Sequence, residues 1–267
     1  MKIFVINLKS SLRRRKLMEQ QLNKLGLPFE FFEAIQGSAM SKEEIATYFD
    51  MEYYNNPPYH FTAGIAGCIM SHYFLYKKIV EENIESALIL EDDMLLNKKI
   101  PDLLTILKGE LRDYEVIMLF YQSAITIELS KRSCINLTDQ FSLYQVISTK
   151  LLGSTAGYAI NLSTAKSMTA GLRPFSTFPD AWEDFYNRRL LNGVRVVYPF
   201  PLKSSYERTT ISPYRKGGST GAQMLHIIEK YNVFPFYQVL KWRRRKYIKT
   251  TRQCKIVNRT PQDFREK

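Results

Sequence analysis

Cysteine is scarce in this chain of 267 residues. Its three thiols, Cys68, Cys134 and Cys254, are widely spaced and odd in number, and no two form a C-x-x-C pair. Neither a zinc site nor a disulfide framework is indicated, and a reducing compartment fits best. Long apolar runs are also missing. No stretch of about 18 apolar residues exists, so no transmembrane helix is expected. The opening "MKIFVINLKSS" has an apolar run too short for a signal-peptide core and no small-residue cleavage site after it. The expectation is a protein that stays in the cytoplasm. Internal repeats and low-complexity tracts are absent.

What is present is ordinary globular composition, 45% hydrophobic and 24% charged, with seventeen Tyr and sixteen Phe for aromatic contact. The net charge of +12 is unevenly placed. Twelve Lys/Arg and two acids lie between Lys230 and Lys267, whereas residues 1–229 hold 26 basic and 24 acidic residues. The body is close to neutral, and an anionic partner would meet the C-terminal segment.

Along the chain, apolar β-branched runs alternate with helical periodicity. Strands are expected over residues 2–8, 28–35, 86–90, 115–121, 151–160 and 194–199. Helices are expected over residues 12–25, with Gly26 as the stop, from a Ser41/Glu44 capping box, from Thr62 to about Asn83, and from Ser163. Residues 55–59 and 212–223 read as loops. This alternation implies an α/β sandwich with a mostly parallel central sheet, in which ligands bind beyond the carboxyl ends of the strands. The domain reading is a catalytic unit over residues 1–211, followed over 212–267 by a flexible loop and a basic, amphipathic helical tail.

The segment "SALILEDDMLL" (86–96) drives an apolar run inward and ends it on Glu91, Asp92 and Asp93. Three adjacent carboxylates repel one another, so a positive charge should sit among them unless they are fully solvated. Alternation along an extended chain turns Glu91 and Asp93 one way and Asp92 the other. A carboxylate-x-carboxylate pair at a strand end suits Mn²⁺ or Mg²⁺, which take oxygen ligands and are commonly completed by water and substrate phosphate. Other readings of the triplet are a solvated acidic turn and an Mg²⁺-dependent phosphoryl hydrolase. The second expects a helper Lys and a Ser/Thr phosphate site that do not stand out here.

Four segments together resemble glycosyltransferase family 25, which includes bacterial lipooligosaccharide galactosyltransferases. They are "VINLKSSLRRRK" (5–16), "FEFFEAIQG" (29–37), "TAGIAGCIMSHYFLYKKIVEENIESALILEDD" (62–93) and "LLGSTAGYAINLSTAKSM" (151–168). They follow the family's order: I-N-L with a later Arg, Ala-x-x-Gly, Gly-Cys-x-x-Ser-His, L-E-D-D, then a Gly-Thr-x-x-Tyr-x-I-S-type strand. The family commonly has an acid two positions before the Gly-Cys, where this chain has Ile65. The resemblance implies a single-domain nucleotide-sugar transferase sandwich of the GT-A-like kind. It places Asn7, Arg14 and Asp92 near the UDP-sugar donor and Ser71 and His72 at the wall of the same pocket. Asp93, helped by Glu91, would hold the metal. The implied activity is transfer of a hexose, galactose from UDP-galactose foremost, onto a lipooligosaccharide core acceptor with inversion.

Inverting transfer needs a carboxylate to take the acceptor hydroxyl's proton. "FPDAWEDFYNRRL" (178–190) offers Asp180 and Asp184 beside Trp182. Asp180 is the preferred base, with a helix N-cap as its competing structural role. A late diphosphate or metal contact is expected from Ser205, Arg208 or Arg215. The basic, aromatic segment over residues 234–259 reads as lying on an anionic membrane surface. That places the protein peripherally on the inner face of a bacterial inner membrane, near a lipid-linked oligosaccharide acceptor. A nucleic-acid-binding protein is the rival outside enzymes, and the near-neutral body, with no second basic stripe, counts against it.

Overall fold

The computed structural model describes residues 1–56, 61–122, 125–150, 152–205, 234–239, 242 and 254–261. The central sheet has eight strands. Their order is β2 (Glu30–Glu33), β1 (Lys2–Asn7), β3 (Ser86–Glu91), β9 (Gly157–Asn161), β5 (Glu115–Met118), β10 (Gly193–Tyr198), β8 (Ser142–Gln145) and β7 (Ile135–Asn136). Side chains alternate between two apolar layers. Phe4, Ile6, Ala87 and Ile89 join the core under α4 (Ala63–Glu81), α6 (Leu162–Gly171) and α7 (Trp182–Asn187). Ile3, Val5, Leu88 and Leu90 face α1 (Leu12–Lys24) and α5 (Ile100–Glu110).

The sheet is mixed, which corrects the expectation of a mostly parallel one. β1 runs parallel to β2 and β3, and β5 to β10. β9 lies antiparallel between β3 and β5, and β8 is antiparallel to both β10 and β7. Direction is not written in an apolar run: a strand buried on both faces carries the same pattern either way. Several strands of two to four residues are too short to show a period: β4 (Met94–Leu96), β6 (Ile127–Ser130), β7, β8 and β11 (Leu202–Ser204).

Helix signals fared better. Both halves of the Ser41/Glu44 capping box form at the start of α2 (Lys42–Tyr48), and Thr62 Oγ1 accepts from Ile65 N at 3.3 Å to cap α4. Asn161, rather than Ser163, caps α6. The basic tail is not uniformly helical. β12 (Cys254–Val257) pairs in parallel with β6 and is tied there by Arg259–Glu128 at 2.6 Å. "CKIV" is apolar and β-branched enough to complete a strand, which binds part of the tail back to the body.

Gly37 and Gly67 stand where two stretches of backbone meet. α4 crosses the loop after β2 so closely that a Cβ on Gly67 would stand 2.4 Å from Ile35 O and 2.6 Å from Gly37 N. A Cβ on Gly37 would stand 1.7 Å from Ala63 O. Ser71 Oγ completes the crossing, accepting from Ile35 N at 2.8 Å and donating to Gly67 O at 2.6 Å. The obstructing atoms are backbone on both sides and cannot rotate away. Alanine at either position is therefore expected to destabilise by about 3 kcal/mol or more, the upper end of overpacking costs. Urea denaturation checks this, and Gly37→Ala should show the larger fall in midpoint.

Candidate active site

β1 and β3 are parallel neighbours with Ile6 opposite Glu91, so Asn7 and the acidic triplet emerge side by side at one end of the sheet. The next residue, Asp92, is buried. Asn7 Nδ2 donates to its Oδ2 at 2.7 Å, and Arg14 of α1 donates to its Oδ1 at 2.7 Å. The Arg14 guanidinium also lies 3.9 Å from Asp93 Oδ2. Arg14 is the cation that the triplet requires. Asp92 spends both oxygens inside the fold, which joins the β1–α1 turn to the end of β3.

Glu91 turns away from this pair. It accepts from Thr155 Oγ1 at 2.9 Å, in the segment leading into β9. Burial and then the charge of Asp93 push its carboxyl up to about 8, with Asp92 and Asp180 adding to the effect and the Thr155 hydrogen bond opposing it. A carboxyl raised by burial and by neighbouring carboxylates gains from an added cation. Asp93 is held by its backbone, where Ser205 N donates to Asp93 O at 2.8 Å beside the β4–β11 pairing. Ser205, one of the late-chain candidates, is thus adjacent to the triplet. Arg208 and Arg215 lie outside the described residues.

Asp180 does not cap α7, whose N-cap is Ala181 with no side-chain bond. Its Oδ2 instead accepts from Ser154 N at 2.8 Å, and Trp182 Nε1 donates to Ser154 O at 3.1 Å. Ser154 has φ +83°, a left-handed conformation costing about 1–3 kcal/mol in a residue with a side chain. Asp180 and the fully buried Trp182 hold it from both sides. Residues 154 and 155 therefore form a strap from Asp180 to Glu91. Asp184 and Asp180 do not share a helix face, because Asp180 precedes the helix. Asp184 pairs with Arg188 at 3.4 Å and lines a cavity of about 310 Å³ with Leu152, Ala181, Glu183 and Asn187.

The hydroxyl of Ser71 is occupied by the backbone crossing described above. His72 is buried with Nδ1 2.8 Å from Tyr158 Oη, and Tyr158 Oη lies 2.6 Å from Tyr76 Oη. Cys68, one helical turn before His72, lies next to Glu91.

Residues 1–181 match the family described as Glycosyltransferase family 25 (LPS biosynthesis protein). The chain belongs to glycosyltransferase family 25. It is 25% identical over 170 residues to the lipooligosaccharide biosynthesis protein lic2B of Haemophilus influenzae, covering 62% of each chain. It is 34% identical over 96 residues to procollagen galactosyltransferase 1-B of Xenopus laevis, covering 34% of this chain and 16% of the frog protein. This family 25 chain thus spans less than two thirds of the length of either relative. Among solved structures, a glycosyltransferase involved in glycosylating the major capsid of PBCV-1 overlaps 84% of this chain and 97% of its own. That overlap has 14% identity and a TM-score of 0.34, too loose to carry an argument.

Within this family 25 site, sequence reading missed Ser154 and Thr155 as the strap. Their signal was faint: Gly153 just before an apolar strand, where a Cβ would stand 2.9 Å from Asp180 Oδ2.

One buried and one partly buried group set the acid–base behaviour. Burial pushes His72 down to about 3. Unfolded His titrates near 6.5, so this contribution is intact above that pH. It is lost as pH falls below 6.5, by about 1.4 kcal/mol per unit. Glu91 acts in the opposite sense. Raised from 4.5 to about 8, it contributes stability that is intact below 4.5 and lost as pH rises toward 8. The two slopes oppose each other between 4.5 and 6.5. In chelator-treated protein, denaturation free energy should therefore be nearly flat there and fall on both sides. Glu91→Gln should remove the fall between 6.5 and 8.

Proposed function

We propose that this chain is a metal-dependent transferase that moves a hexose from a UDP-sugar onto a saccharide acceptor with inversion, on a GT-A-like sandwich. One observation supports this above the rest: in a family 25 chain, the Glu91–Asp93 carboxylates and Asp180 converge at one end of the sheet through the 154–155 strap. The donor set fits a hard divalent ion. Glu91 and Asp93 offer oxygens, Asp92 is already committed to Asn7 and Arg14, and burial with the neighbouring carboxylates outweighs Arg14 around Glu91. Mn²⁺ or Mg²⁺ held by Glu91 and Asp93 would neutralise charge developing on the leaving diphosphate. The protein's own groups do the remaining work. Asn7, with Oδ1 buried and making no hydrogen bond, is available to the donor's polar groups. Arg14 keeps the triplet in place. Asp180, with one oxygen anchored on Ser154 N, has its other oxygen for the acceptor hydroxyl's proton. The cavity beside Asp184 is the proposed route for the acceptor.

Galactose is the proposed sugar and a lipooligosaccharide core the proposed acceptor, supported by the names of the Xenopus and Haemophilus relatives. A lipid-linked acceptor also gives the basic C-terminal segment a purpose. Among its described residues Phe234, Phe236 and Trp242 are exposed, and each Lys/Arg near an anionic surface contributes roughly 1 kcal/mol. We place the protein peripherally on the inner leaflet, facing the cytoplasm. No helix among the described residues is long and apolar enough to cross a membrane. Screening UDP-sugars for Mn²⁺-dependent hydrolysis or transfer by mass spectrometry tests the reading. UDP release with one sugar supports it. Phosphate release from a generic ester without any nucleotide-sugar would point to the hydrolase instead.

A further inference from the structure

Cys68 and His72 sit four residues apart on one face of α4, and Glu91 ends β3 against that face. One donor atom from each lies within 4.8 Å of the other two. Bonds of about 2.0–2.3 Å at tetrahedral angles put donors about 3.3–3.8 Å apart, so the trio closes on an ion when the side chains rotate inward by about an ångström. The imidazole carries the second observation. His72 is 2% exposed, and its Nε2 is buried with no hydrogen-bond partner. Leaving such an atom unsatisfied costs roughly 1–3 kcal/mol. A metal accounts for it. If Nδ1–H donates to Tyr158 Oη and Tyr158 donates on to Tyr76, Nε2 keeps its lone pair, and the Nδ1 bond fixes tautomer and ring orientation as it does for metal-bound histidines. Cys68 and Glu91 are only partly buried, which leaves an approach for the ion. Asp93, Asp92 and Asp180 act electrostatically on Glu91 and favour a cation beside it.

We infer that Cys68, His72 and Glu91 form a binding site for a borderline-soft divalent cation of the Zn²⁺ class. A thiolate, an imidazole and a carboxylate select this class over Mg²⁺ or Mn²⁺, which prefer all-oxygen sites. Binding releases the Cys68 proton, and the Glu91 proton where that carboxyl is protonated, to solvent. The inference goes beyond the transferase reading and shares with it Glu91, and His72, which the resemblance puts at the donor-pocket wall. An ion held here competes with the Asp93 site for that carboxylate, so Zn²⁺ should inhibit Mn²⁺-supported turnover.

Co²⁺ titration of the full, metal-free chain tests the site without any nucleotide. A thiolate-to-cobalt charge-transfer band is expected at one equivalent and should be displaced by Zn²⁺. Cys68→Ser should abolish it. The Cys134→Ser/Cys254→Ser double variant and Asp93→Asn should keep it, and Tyr158→Phe should weaken Zn²⁺ binding about 10- to 100-fold. No thiolate band in the wild-type chain, or a band that survives Cys68→Ser, overturns the inference. UDP-sugar turnover is scored separately, so failure of the transferase reading leaves this result intact.

Discussion

Asp180→Asn is expected to lower kcat by about 10²–10⁴-fold, the usual contribution of a positioned general base. The amide keeps the shape of the carboxylate, and its oxygen can still accept from Ser154 N, so the strap should survive. The KM for the donor should hardly change, because Asp180 is assigned to the acceptor's proton and not to the nucleotide. Asp184→Asn serves as the internal control. Asp184 is paired with Arg188 in the lining of the cavity and should affect acceptor KM more than kcat. Steady-state kinetics with a single UDP-sugar separates the two. Wild-type turnover in both variants would reduce residues 180–184 to a structural element.

The second large effect concerns stability. Arg14→Met is expected to destabilise the fold by about 3–5 kcal/mol, because it leaves Asp92 buried with half its partners and removes the cation nearest Asp93. The two side chains are only 13% and 8% exposed, so solvent screens the pair weakly. Asp92→Asn should cost less than Arg14→Met, since it removes a buried negative charge from a crowded acidic cluster. Adding Asp92→Asn to Arg14→Met should recover part of the loss. A double-mutant cycle in guanidinium chloride measures this coupling. Simple additivity of the two changes would show that Arg14 is not the counter-charge of the triplet.

What the sequence revealed depended on range. Elements whose signal lies within a few residues were legible: the capping box at Ser41, the stop at Gly26, which has φ +65°, and the apolar runs of β1 and β3. That Glu91, Asp92 and Asp93 need either a cation or full solvation was also legible, since like charges at adjacent positions repel. The resemblance names Arg14 as a donor-side residue, and the structure sets it beside Asp92 and Asp93. What the resemblance could not convey is that Arg14 and Asn7 both close on Asp92, because that contact spans about eighty positions and exists only once β1 and β3 pair. Thr155 was invisible for the same reason. Its bond to Glu91 follows from β9 entering antiparallel beside β3, and nothing in "STAGYAI" encodes direction. The competing helix-cap role of Asp180 rested on its place just before the helix. The backbone turn at Ser154 claimed its carboxylate instead. Gly67, Cys68, Ser71 and His72 read as one motif, but they divide into two tasks. Gly67 and Ser71 lock α4 onto the loop after β2, while Cys68 and His72 face Glu91.

Calorimetric titration of UDP into the full chain, with Mn²⁺ and after chelation, addresses the metal-bridged donor site most directly. Binding should require Mn²⁺, fall at least about tenfold in Asp93→Asn and weaken in Glu91→Gln, as expected for loss of an ion ligand. UDP binding of equal strength with and without the ion, unaffected by either substitution, would contradict the assignment of Glu91 and Asp93.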